Sequence, residues 1–111
     1  MKIAYVAGPY RGKTHNEVQK NIQNAREVAE FLWSKGFAVI CPHMNSAFMS
    51  GCCDEKAFLA GYIEILKRCD FVVLVDGWEA SAGSTDEGDC ASDEGIEAYS
   101  FEEIQAGIVK P

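Results

Sequence analysis

No apolar run in this chain approaches the roughly 18 residues that a membrane span requires, so no membrane partner is expected. The opening Met1-Lys2-Ile3-Ala4-Tyr5-Val6-Ala7 turns into a glycine loop too early for a secretory signal, which points to the cytoplasm. Positive charge is scarce. Ten Lys and Arg stand against seventeen Asp and Glu, a formal charge of −7, and such a surface repels a polyphosphate backbone. Long nucleic acid is therefore excluded as a partner, whereas a small anion is not, because Arg11 and Lys13 sit together in the first loop. Cys-x-x-Cys spacing is also missing. The five cysteines, Cys41, Cys52, Cys53, Cys69 and Cys90, are odd in number and lack a disulfide framework, as suits a reducing compartment. Cys41, His43, Cys52 and Cys53 lie close enough in sequence to suggest zinc, but adjacent cysteines chelate one metal poorly. No metal and no cofactor are expected, and Cys41, Cys69 and Cys90 read as small apolar core residues.

What is present is an alternation of strands and helices in 111 residues, 48% of them hydrophobic, enough for one modest core spanning 1–111. Lys2 to Ala7 is a short apolar run closed by Gly8-Pro9. Thr14-x-x-Glu17 has capping-box spacing, and Val18, Ile22, Ala25, Ala29 and Leu32 then recur at helical period until Gly36. Phe37 to Cys41 reads as a second strand ended by Pro42, followed by a polar stretch from His43 to Cys53. Phe58, Tyr62 and Leu66 share one face of a helix predicted over 55–68. Phe71-Val72-Val73-Leu74-Val75 shows no polar alternation, the mark of a strand covered on both faces. A third helix is predicted over 85–94, a fourth strand over 96–99, and Ser100-x-x-Glu103 caps a last helical turn. The pattern predicts an α/β fold of flavodoxin or Rossmann type, a four-stranded parallel sheet in order 2-1-3-4 with helices on both faces. That order sets the loop over 8–14 beside the loop over 77–87, where such folds bind ligands.

Gly8-Pro9-Tyr10-Arg11-Gly12-Lys13-Thr14 looks at first like a nucleoside triphosphate loop, but it has three residues between its glycines where the loop needs four. It still suits one phosphate or carboxylate, held on free amides with Arg11 as a two-pronged donor; the alternative is a plain β–α turn with solvated Arg11 and Lys13. Glu87, in Ser81-Ala82-Gly83-Ser84-Thr85-Asp86-Glu87, lies near the predicted helix start, where the dipole favours its anion. A carboxylate in a pocket is what attack on an anomeric carbon requires, although acidity at a helix start is also ordinary. Tyr5, inside a short strand, needs a partner for its hydroxyl. Trp78 at the loop mouth suits either stacking on a base or shielding a subunit contact, and His43 suits either a site or a loop.

Taken together, Tyr5-Val-Ala-Gly-Pro-Tyr-Arg-Gly12, the strand that Asp70 opens, and Gly77-Trp-Glu-Ala-Ser-Ala-Gly-Ser-Thr-Asp-Glu87 resemble the nucleoside 2-deoxyribosyltransferase-like superfamily over nearly the whole chain. The resemblance takes in the small uncharacterised members of that superfamily and also its deoxynucleoside 5′-monophosphate N-hydrolase branch. The resemblance implies that Glu87 attacks the sugar C1′ and that Tyr5 positions it. It implies that Gly8, Arg11, Gly12, Ser81 and Gly83 surround phosphate or sugar, with His43 and Trp78 at the margin. It further implies a small nucleoside or nucleotide as ligand, cleavage or transfer of an N-glycosidic bond, and a homo-oligomer. The family's aspartate eight residues before the strand-opening aspartate, which helps protonate the departing base, is replaced by Tyr62; Asp54, Glu64, Asp76 and His43 are the possible substitutes. That replacement keeps a second reading open, a nucleotide-binding or sensing protein of the same fold with weak catalysis.

Overall fold

The computed structural model describes residues 1–111. Strand β1 (Ile3–Ala7) is buried from Ala4 onward. Helix α1 (His15–Ser34) starts where the Thr14 hydroxyl accepts the Glu17 amide, while the Glu17 carboxylate turns back to the Lys13 amide. The Thr-x-x-Glu spacing therefore caps the helix, with the return bond one residue outside the reciprocal form. Ala25, Val28, Ala29 and Leu32 make its buried face. After β2 (Ala38–Ile40), the stretch expected to be loop opens with a single helical turn, α2 (Pro42–Asn45). Pro42, read from sequence as a strand terminator, also serves at the first helical position, where its missing N–H costs nothing.

Asp54 accepts the Ala57 amide at 2.9 Å and so starts α3 (Glu55–Leu66). Strand β3 (Phe71–Leu74) is fastened to β1 by Asp70, whose carboxylate accepts the Ile3 amide at 2.6 Å and whose amide donates to the Ile3 carbonyl at 2.8 Å. A 3₁₀ turn (Trp78–Ala80) leads into α4 (Ala82–Asp93), then β4 (Glu97–Ser100) and α5 (Phe101–Gln105). Ser100 and Glu103 form the reciprocal capping box predicted for α5. Helix α4 begins at Ala82 and not near Thr85, because Ser81 takes the cap by accepting the Ser84 amide at 3.3 Å.

The four strands run parallel in the order β2-β1-β3-β4, as the alternation of elements predicts. From Ala4 to Ala7 each β1 side chain faces one of two cores. Ala4 and Val6 pack with α1, Phe71, Val73 and Ile104 of α5 on one face. Tyr5 and Ala7 pack with Tyr62 and Leu66 of α3, Val72 and Ala91 of α4 on the other. Period-two alternation thus sends Tyr5 toward α3 and α4. At the carboxyl ends of β1 and β3 the backbones crowd: a Cβ on Gly8 would lie 2.7 Å from the Val75 Cβ, so only glycine fits. Gly77, at φ +87, faces the Pro9 ring, and a Cβ on it would lie 3.9 Å from Pro9 Cγ. The first and third βα loops therefore meet, as strand order 2-1-3-4 requires. No helix is long and apolar enough to cross a membrane.

Candidate active site

On the α3/α4 face of the sheet the Tyr5 hydroxyl donates to the Glu87 carboxylate, across 82 positions of sequence. Tyr5 is wholly buried and Glu87 is 7% exposed. Burial raises the Glu87 carboxyl from 4.5 to about 7; the Tyr5 hydrogen bond pulls it down, and the Asp86 charge pushes it up. Burial, then the Glu87 charge and the bond itself, raise the Tyr5 phenol well above its ordinary range, which keeps it a donor. This corrects the expectation that the helix dipole stabilises the Glu87 anion. With α4 starting at Ala82, Glu87 lies beyond the first turn, where the dipole has faded, and desolvation decides its charge. The result is a carboxyl that titrates near neutrality, a property suited to chemistry.

Ser81, at the cap of α4, is half-buried, and Gly83 lies beside it in the first turn with its Cβ position 4.0 Å from the Ser81 hydroxyl. Ser84, one turn before Glu87, is 1% exposed and its hydroxyl has no partner. The sequence motifs do not single out Ser84; its helical spacing of three from Glu87 is the signal that marks it. Trp78 does not stand free over the mouth: its ring lies on α4, where a Cβ on Gly88 would meet Cζ3 at 3.2 Å.

Across the sheet edge, Arg11 forms an ion pair with Glu55 at the start of α3, both side chains exposed. Gly12 is pressed against Glu17, and a Cβ there would come within 2.4 Å of the Glu17 Cβ. The Asn21 amide steadies this loop by donating to the Tyr10 and Arg11 carbonyls at 3.2 and 3.1 Å. His43, 8% exposed, donates from Nε2 to the Pro9 carbonyl at 2.9 Å, which leaves Nδ1 as a buried acceptor without a partner. Burial lowers its pKa, against the pull of the Pro9 and Gly8 carbonyls, so the ring is neutral at pH 7.

Tyr62 belongs to the core that holds Tyr5, and its hydroxyl is committed to α2. It donates to Ser46 Oγ at 2.7 Å, accepts from Asn45 at 3.2 Å and lies 3.4 Å from the Pro42 carbonyl. Of the possible substitutes for the missing aspartate, Asp54 caps α3 and Glu64 pairs with Lys67 and Arg68, so neither is free; Asp76 is exposed. Hollows of about 520 Å³ lie along α1, beside Asn16, Lys20 and Met44, and between α3 and α4, beside Ile63, Asp86 and Asp89. Neither is lined by Tyr5 or Glu87. The buried phenol–carboxylate bond is the better guide to chemistry, since the hollows are edged by solvated side chains.

A family model described as "Domain of unknown function (DUF4406)" matches residues 1–99. No curated protein matches the chain. Among solved structures, a 2-deoxyribosyltransferase from the psychrotolerant bacterium Bacillus psychrosaccharolyticus, described as a biocatalyst for synthesis of antiviral and antitumoral nucleosides, superimposes with a TM-score of 0.61. At 19% identity the match covers 88% of this chain and 72% of that one, and it establishes a shared fold. The α/β fold expected from the sequence, a four-stranded parallel sheet in order 2-1-3-4, is borne out.

Proposed function

The chain belongs to the DUF4406 family, and from that premise we propose that it cleaves or transfers the N-glycosidic bond of a (deoxy)nucleoside or its 5′-monophosphate. The observation that carries the reading is the buried Tyr5–Glu87 pair with a carboxyl titrating near 7. In the deprotonated form Glu87 attacks the sugar C1′; the C1′–N bond breaks, its electron pair leaves with the base, and an ester joins sugar to enzyme. Water or a second base then takes C1′ and returns the carboxylate. Tyr5 holds one carboxylate oxygen, which fixes the direction of the other. Ser81, Gly83, Gly8, Arg11 and Gly12 surround phosphate or sugar at the meeting of the two loops, and His43 braces the first loop through Pro9. The Tyr62 hydroxyl is spent on α2, so the base takes its proton from another donor, and turnover is expected to be slower by about 10² to 10⁴ than with a positioned acid.

The test is incubation with the common deoxynucleoside 5′-monophosphates and free deoxynucleosides, with released base followed by chromatography. Base release supports the reading; tight binding without release from any of them removes it.

Glu55 bears on the choice between the two ligand classes. Its carboxylate occupies the Arg11 guanidinium that a phosphate would claim, so a monophosphate has to displace it. Glu55→Gln is expected to tighten binding of a 5′-monophosphate severalfold, within the range of about 1 kcal/mol for an exposed pair, and to leave the free nucleoside unchanged. Titration calorimetry on both ligands checks this. An equal change for both would show that Arg11 does not meet the phosphate.

A further inference from the structure

Five thiols are present, and two of them differ from the rest in place and in spacing. Cys41 and Cys69 are buried in the two cores and Cys90 is half-buried on α4. Cys52 and Cys53 are exposed, and their sulfurs approach to 3.9 Å. Consecutive side chains of an extended segment point to opposite sides. Here a turn intervenes: Gly51 takes φ +88 and the Cys52 amide bonds back to the Met49 carbonyl at 3.2 Å, which brings both thiols to one side. The next residue, Asp54, caps α3, and Glu55 after it holds Arg11.

We propose that Cys52 and Cys53 form a dithiol site that reacts with low-molecular-weight disulfides, closing to a vicinal disulfide whose formation loosens the start of α3. One cysteine, as its thiolate, attacks a sulfur of the small disulfide, forms a mixed disulfide and expels a small thiolate. The neighbouring cysteine then gives up its proton and attacks the protein-bound sulfur, expelling the second small thiolate. The two cysteines are oxidised, the small disulfide is reduced to two thiols, and those thiols carry away the two protons. Closure has to shorten the 3.9 Å sulfur separation to about 2.05 Å. All peptide bonds are trans, and consecutive Cα atoms stand about 3.8 Å apart, less than the usual 4.4 Å minimum for a bridge. The ring is therefore strained, readily reopened by thiols, and suited to a reversible role rather than a structural one. Because α3 begins immediately after the pair, the adjustment falls on residues 50–54 and on the Asp54 cap.

Oxidised glutathione, added to the full chain at mildly alkaline pH, is the probe. Intact mass should show loss of two hydrogens with no retained glutathione, and the peptide containing Cys52 and Cys53 should resist alkylation until reductant is added. Cys52→Ser and Cys53→Ser, both at exposed positions, should stop at the mixed disulfide, which in the wild type resolves about 10²-fold faster through proximity of the second thiol. Exchange of the Ala57 amide, which Asp54 holds, should accelerate on oxidation and return on reduction. A wild-type chain that keeps glutathione as long as the variants do, or that pairs either cysteine with Cys90, overturns the site. An unchanged Ala57 amide overturns the link to α3.

Discussion

Glu87→Gln is expected to abolish base release and, in the same molecule, to raise stability above neutral pH. The two effects have one cause. Folding moves the Glu87 carboxyl from 4.5 to about 7, so the folded state prefers it protonated. The stability this group allows is fully present below its unfolded pKa of 4.5 and is lost as pH rises through about 7. At about 1.4 kcal/mol per pKa unit, a carboxylate in that burial costs roughly 3 kcal/mol once it is fully ionised, near pH 8. Glutamine keeps the shape, still accepts from Tyr5, and carries no charge. Denaturant unfolding at about pH 4.5 and about pH 8 should give the variant little gain at the first and roughly 3 kcal/mol at the second. Base release should fall by about 10³-fold or more, since no other carboxylate is in contact with Tyr5. If the variant shows the wild-type dependence of stability on pH, the Glu87 titration is misassigned. If it still releases base, the nucleophile is another group.

Tyr5→Phe is expected to move the pH profile rather than remove the reaction. In the wild type kcat/KM should rise with pH through about 7, as Glu87 loses its proton. The Tyr5 hydroxyl favours the anion, and a hydrogen bond to a charged group is worth about 1.5 to 3 kcal/mol, so its loss should carry the midpoint upward by about one to two pH units. At pH 7, where the wild-type carboxyl is half ionised, the variant should be slower by about 5- to 50-fold and should recover that deficit as the pH is raised. A uniform loss with an unmoved midpoint would mean that the phenol acts on something other than the charge of Glu87.

Much of this arrangement is legible in the chain. The apolar runs before Gly8 and after Asp70, the helical period of α1 and the two capping boxes carry local information, and they lead to strand order 2-1-3-4. The boundary that matters most was hidden. Ala82-Gly83-Ser84 contains weak helix formers, so the pattern starts the helix near Thr85, whereas the Ser81 hydroxyl starts it at Ala82. That shift takes Glu87 out of reach of the dipole and puts burial in charge of its proton. The capture of Arg11 by Glu55 was not legible either, because the two residues are 44 positions apart and meet only when β1 and α3 are laid on one sheet. Tyr62 shows the same limit. Its spacing from Asp70 marks it as a departure from the family pattern, and only the fold reveals that its hydroxyl anchors α2 through Ser46.

Ser81 has a consequence for what its helix can welcome. As the cap it lends lone-pair density to the Ser84 amide, and its own O–H remains available to a visitor. An aspartate in the same place would cap the helix equally well, yet it would turn a negative group away and offer no hydrogen in return. On the proposed function a neutral hydroxyl at this junction admits an anion, so Ser81→Asp is expected to weaken binding of a 5′-monophosphate while keeping the helix cap.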